Sequence, residues 1–88
     1  MTTDTPICAP WTRLTGHTGA ASSIAAFEAD GLLLTASQDH TSIIWDLETG
    51  TLVTCFKGHT GVVRDCLFAP GGRVLITAGD TTIRLWDR

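Results

Sequence analysis

Basic residues are few and scattered in this 88-residue chain. Arg13, Lys57, Arg64, Arg73, Arg84 and Arg88 stand against nine acidic residues, for a formal net charge of −3. A grip on a phosphate backbone needs a clustered basic face, so a nucleic-acid partner is not expected. No stretch approaches the ~18 consecutive apolar residues of a membrane span, so no membrane partner is expected either. The opening MTTDTPICAPW lacks both the basic start and the apolar segment of a secretory signal. Cysteine is limited to Cys8, Cys55 and Cys66. An odd count without a signal fits reduced thiols packed as small apolar groups, which implies an intracellular protein, cytoplasmic or nuclear. No Cys or His pair has close metal-ligand spacing. There is also no Gly-rich phosphate loop and no nucleophile motif, so neither an enzyme nor a bound cofactor is expected.

What the chain does have is hydrophobic content of 43% against 17% charged, the balance of a packed protein and not of a disordered one. It also repeats itself. Gly16-His17-Thr18-Gly19 returns as Gly58-His59-Thr60-Gly61, and Trp45-Asp46 returns as Trp86-Asp87. Between these anchors Leu33-Leu34-Thr35-Ala36 matches Leu75-Ile76-Thr77-Ala78. The second copy is one residue shorter, because Ser37-Gln38-Asp39 becomes Gly79-Asp80.

Each copy reads as β-structure. Short runs rich in β-branched and apolar residues predict strands over 20–27, 32–37, 42–47 and 51–57, then over 62–69, 74–78 and 82–87. Asp30-Gly31 and Gly71-Gly72 supply hairpin turns, and Thr49-Gly50 a further one. No window has a long helical period. Phe27 and Phe68 break the symmetry, lying ten and nine residues after their histidines. A bulge in the first strand of the first copy and a different register are both open at this point.

A repeat of about 40–45 residues with four strands, a Gly-His pair and a Trp-Asp pair marks a propeller blade. Over residues 10–88 the chain resembles the WD-repeat family. That resemblance implies an all-β fold of four-stranded antiparallel blades, two per chain. It also implies a hydrogen-bonded set in each blade: His17, Thr35, Asp39 and Trp45 in the first, His59, Thr77, Asp80 and Trp86 in the second. A buried carboxylate needs donors, which His and Thr supply, and the indole N–H needs an acceptor. The same side chains could be read as a hydrolytic triad. Their duplication, and the threonine's place inside a strand, favour a structural clamp.

The expected organisation is a tail over 1–9, an outer strand over 10–15 completing a neighbouring blade, a first repeat over 16–57 and a second over 58–88 that lacks its outer strand. Ile43 and Trp45 alternate with Ile44, so both faces of a blade are apolar and want neighbours. Two blades alone leave two such faces in water, whereas propellers close with about four to eight. Further blades are therefore expected, from a homo-oligomer or from a longer chain of which this is a fragment or regulatory tail. Because strands alternate in direction, the loop before the first strand and the turn after the second emerge together. That face carries Thr18, Gln38, His40, Thr60, Arg64 and Thr81, the residues expected to meet other proteins or peptides, as the family resemblance implies.

Overall fold

In a computed structural model, residues 14–88 are described. Seven strands follow one another: β1 (Ala21–Phe27), β2 (Leu32–Ser37), β3 (Thr41–Asp46), β4 (Thr51–Lys57), β5 (Val63–Phe68), β6 (Val74–Gly79) and β7 (Thr82–Asp87). They form an antiparallel sheet in the order β1-β2-β3-β4 and a second in the order β5-β6-β7. The fold is all-β, two unclosed blades. The expected tail and nearly all of the expected strand over 10–15 lie outside the described residues; Leu14 and Thr15 are not in a strand.

Turn chemistry sets the strand ends. After β1 the chain makes a short 3-10 turn (Glu28–Asp30) and leaves it through Gly31 at φ 64°, left-handed backbone that glycine adopts without steric cost. The shortened turn of the second repeat is absorbed by Asp80, which takes φ 42°, while in the first repeat His40 holds the positive φ, 75°. Asn and Asp tolerate this region better than most residues, so the deletion is accommodated without a glycine.

The main core cluster lies between the sheets, while Ile43 and Trp45 are buried on the other face of the first sheet, beside Gly16 and Leu52. Leu34, Ala36 and Ile44 from the first sheet meet Val63, Cys66 and Leu75 from the second. Strands β1, β2 and β3 all approach β5, the leading strand of the second sheet. Full burial of each Leu or Ile here contributes about 1.5–3 kcal/mol. Polar bonds cross the same interface. Ser22 Oγ donates to the Val63 carbonyl, Ser23 Oγ to Asp65 Oδ1 at 2.9 Å, and Cys66 Sγ to the Leu34 carbonyl at 3.6 Å. At the rim Arg88 pairs with Asp30 at 2.8 Å.

The phenylalanine offset resolves here. Both leading strands carry the same irregularity, at Ser22 in β1 and at Arg64 in β5, so a bulge peculiar to the first repeat is not the cause. Phe27 pairs with Leu32 and Phe68 with Leu75, one step apart in the repeat. Successive strand residues face opposite sides. Phe27 therefore faces forward to the second sheet and Phe68 faces back to the first, with ring centroids 5.5 Å apart.

Candidate functional site

Each Gly-His pair precedes the first strand of its sheet and folds over the Trp of the third. A Cβ at Gly58 would stand 2.9 Å from Cη2 of Trp86, so only glycine lets the ring lie that close. The neighbouring histidine then bridges two elements. His17 Nδ1 lies 3.0 Å from Asp39 Oδ2, and its Nε2 lies 2.6 Å from Thr35 Oγ1. Trp45 Nε1 donates to the same Thr35 oxygen at 2.8 Å. One proton arrangement satisfies every atom: the indole donates to the threonine hydroxyl, the hydroxyl to Nε2, and Nδ1–H to the carboxylate. The second sheet repeats it. His59 lies 3.0 Å from Asp80 and 2.8 Å from Thr77, and Trp86 donates to Thr77 at 2.8 Å. The missing turn residue leaves these distances intact.

Both carboxylates are saturated with donors. Asp39 Oδ2 also accepts from the Thr18 amide at 2.9 Å, while its Oδ1 accepts from the amide and hydroxyl of Thr41. Asp80 accepts from the Thr60 amide at 3.0 Å and from the amides of Thr81 and Thr82 and the Thr82 hydroxyl. Burial pushes the Asp39 pKa up. The Thr41 hydroxyl, the Thr18 amide, His17 and the Thr41 amide together outweigh that and hold it well below the usual carboxylate range. The Thr82 hydroxyl does most to depress Asp80, against desolvation, with the Thr60 amide, His59 and the Thr82 amide adding to it. Each carboxylate thus ties the loop before the first strand to the turn between the second and third.

The threonine–histidine–aspartate order is that of a hydrolytic relay, but the oxygen is unavailable. Thr35 is 7% exposed and Thr77 0%, and each hydroxyl oxygen already accepts an indole N–H. A nucleophile must reach a substrate carbonyl, and these do not.

Thr18, Gln38, His40, Thr60, Arg64 and Thr81 are all exposed. Thr18 and His40 come together in a groove of about 440 Å³, lined also by Gly16, Asp39, Thr41, Cys55, Lys57, Gly58 and His59. Gln38, Thr60, Arg64 and Thr81 lie outside that lining. Lys57 and Cys55 were not singled out as site residues from the sequence. Lys57 stands opposite Thr41 in the β3–β4 register, directly before the second Gly-His pair, and that position was the available signal. Among the described residues no cluster of His, Cys, Asp or Glu could hold a metal, and no helix is long and apolar enough to cross a membrane.

Two stacked antiparallel sheets, each pinned by the same His-Thr-Asp-Trp set, define adjacent propeller blades. The chain belongs to the WD domain, G-beta repeat family, whose model matches residues 8–46 and 50–87. It is similar to nuclear distribution protein PAC1 of Arthroderma otae, 45% identical over 82% of this chain and 14% of that protein. It is also similar to small ribosomal subunit protein RACK1 of Saccharomyces cerevisiae, 43% identical over 84% of this chain and 25% of that protein. WD repeat-containing protein 37 of Homo sapiens is 41% identical over 62% of this chain. The chain spans a quarter or less of the length of these relatives.

Proposed function

We propose that this chain is a non-catalytic protein-interaction scaffold that contributes two blades to a larger propeller and docks other proteins or peptides on its loop face. The observation that carries this is the pair of saturated carboxylates. Asp39 and Asp80 each lock two connections together, so Thr18, Gln38, His40, Thr60, Arg64 and Thr81 stand on a stiff platform. The eight residues His17, Thr35, Asp39, Trp45, His59, Thr77, Asp80 and Trp86 are the clamps, with no part in chemistry. The relatives support the reading. One is by name a ribosomal subunit protein, a part within a larger assembly and an intracellular setting.

The remaining blades come from other copies, with about three or four chains in all for a ring of six or eight blades, or from further repeats in a longer chain. Among the described residues β7 has no strand on its outward edge. Residues 10–15, which align with 52–57, would supply such a strand to a neighbouring blade.

Affinity purification with mass spectrometry tests the docking face. Wild type is compared with the triple variant Gln38→Ala, His40→Gly, Arg64→Ala, whose fold is checked by circular dichroism. The expected result is a defined set of bound proteins that the variant loses. An identical set from both chains rejects the face.

A further inference from the structure

We infer that the groove beside the first clamp holds the carboxylate of an acidic peptide, gripped by Lys57, His40 and Thr18. This rests on the docking reading above and names the chemistry of the segment that docks.

Charge is divided along the strands. At the end away from the loop face stand Glu28, Asp30, Asp46, Glu48 and Asp87, against Arg73 and Arg88. Both arginines are paired there, with Asp87 at 3.2 Å and with Asp30 at 2.8 Å. The loop end is the reverse. Its carboxylates are Asp39, Asp65 and Asp80, and all three are engaged by donors of the chain. Asp39 and Asp80 are saturated on both oxygens, and Asp65 Oδ1 accepts from the Ser23 hydroxyl and the Cys66 amide. Its cations, Lys57 and Arg64, are exposed and make no ion pair among the described residues. A six-residue strand spans about 20 Å, more than twice the ~8 Å screening length at physiological salt. The acidic end therefore does not cancel the loop end. An anionic segment is turned away from the first and drawn to the second.

Free donors gather in the groove. Lys57 ends β4 opposite Thr41, His40 directly precedes Thr41 in the turn, and Thr18 lies in the loop before β1. All three line the groove of about 440 Å³, a size within the ~300–1,000 Å³ of ligand sites. Thr18 and His40 use their backbone amides within the chain, at Asp39 and at the Ser37 carbonyl. Their side chains, like the Lys57 ammonium, make no hydrogen bond among the described residues. The turn has no need of a side chain at His40, since φ there is 75°, which glycine adopts without steric cost. A second cation stands behind the groove wall. Arg84 Nη1 would lie 3.3 Å from a Cβ at Gly58, a lining residue, and Arg84 Nε is buried without a hydrogen-bond partner among the described residues. It adds positive potential where Asp39, the acid of the lining, has its oxygens occupied.

The donor set suits a carboxylate and not a phosphate. Phosphorylated segments carry nearly two charges on one group and are held by clusters of arginine. The lining has one lysine and no arginine. A carboxylate brings one charge and two oxygens. One oxygen faces the ammonium, and the other takes the imidazole N–H and the Thr18 hydroxyl.

Fluorescence anisotropy tests this with the full chain in whatever assembly it forms. The probes are labelled peptides in which serine alternates with glutamate, glutamine, lysine or phosphoserine. Wild type is expected to bind the glutamate peptide at least about tenfold more tightly than each of the others. Lys57→Glu should weaken the glutamate peptide by about tenfold or more, while Arg73→Gln, at the far end, leaves it unchanged. Lys57→Gln replaces the glutamate variant should that variant lose its circular dichroism spectrum, and the comparison of peptides on wild type needs no variant at all. No binding of the glutamate peptide, equal binding of its glutamine counterpart, tighter binding of the phosphoserine peptide, or indifference to Lys57→Glu overturns the proposal. The two readings fail separately. Bound proteins lost from the loop-face triple variant, with the glutamate peptide unbound by wild type, refute the carboxylate site and leave docking standing. An identical protein set from wild type and triple variant counts against the docking face itself.

Discussion

Replacing Thr35 with valine keeps the shape of a side chain in the centre of the first clamp and removes one oxygen. That oxygen accepts the Trp45 indole N–H at 2.8 Å and meets His17 Nε2 at 2.6 Å. Trp45 is almost fully buried, so its N–H finds no water when the acceptor goes. A buried donor left without a partner costs about 1–3 kcal/mol, and the stranded Nε2 adds a smaller amount because His17 is only part-buried. The expected loss is about 2–4 kcal/mol. Thr35→Ser is the control. It keeps the oxygen and removes a methyl group, a loss of about 1 kcal/mol for a small buried truncation. Urea unfolding read by tryptophan fluorescence distinguishes them, at one fixed protein concentration because assembly shifts apparent stability. With a slope of about 1 kcal/mol per molar for a chain this small, valine should unfold some 2 M of urea earlier than serine, to order of magnitude. A valine variant as stable as the serine one would refute the reasoning, since the hydroxyl would then hold nothing in place.

Other outcomes follow from the same geometry. Ser42 Oγ is buried without a hydrogen-bond partner, so Ser42→Ala should leave stability unchanged or raise it by about 1 kcal/mol in the same urea assay. Asp39 and Asp80 have folded pKa values depressed below the unfolded value of about 3.9. Their contribution is complete above that value and is lost as the pH falls from about 4 toward the folded pKa. Thermal melts of wild type should therefore fall in this window, and those of the Asp39→Asn, Asp80→Asn double variant should fall less. Burial first, and the nearby Asp65 charge in part, push the Cys66 thiol up to about 11 against the opposing Ser23 hydrogen bond. In a Cys8→Ser background at neutral pH, a thiol reagent should modify half-buried Cys55 before Cys66. Equal rates, measured by mass spectrometry of peptides, would mean that the two sheets part readily.

Periodicity and alternation, properties of the chain read in one dimension, account for the strands, their order and the repeat unit. The expected strands over 32–37, 51–57 and 82–87 coincide with β2, β4 and β7, and those over 20–27, 42–47, 62–69 and 74–78 end within one residue of β1, β3, β5 and β6, because two-residue alternation and turn glycines act locally. The likeness of the two histidine sets was also visible, since each depends on residues at constant spacing. Three matters were not legible. Whether Phe27 and Phe68 meet depends on which sheet faces oppose each other, and an offset of one residue gains meaning only once two sheets are stacked. Asp80 reaches the same partners as Asp39 from a shorter turn because its backbone enters left-handed space, a choice made by the hydrogen bonds waiting for its carboxylate. The groove containing Lys57 and Cys55 is made by the end of β4 lying beside the loops on both sides of it. Residue types and spacing specify what each strand can do. Stacking in three dimensions specifies which faces are satisfied, because burial belongs to pairs of surfaces and not to either one.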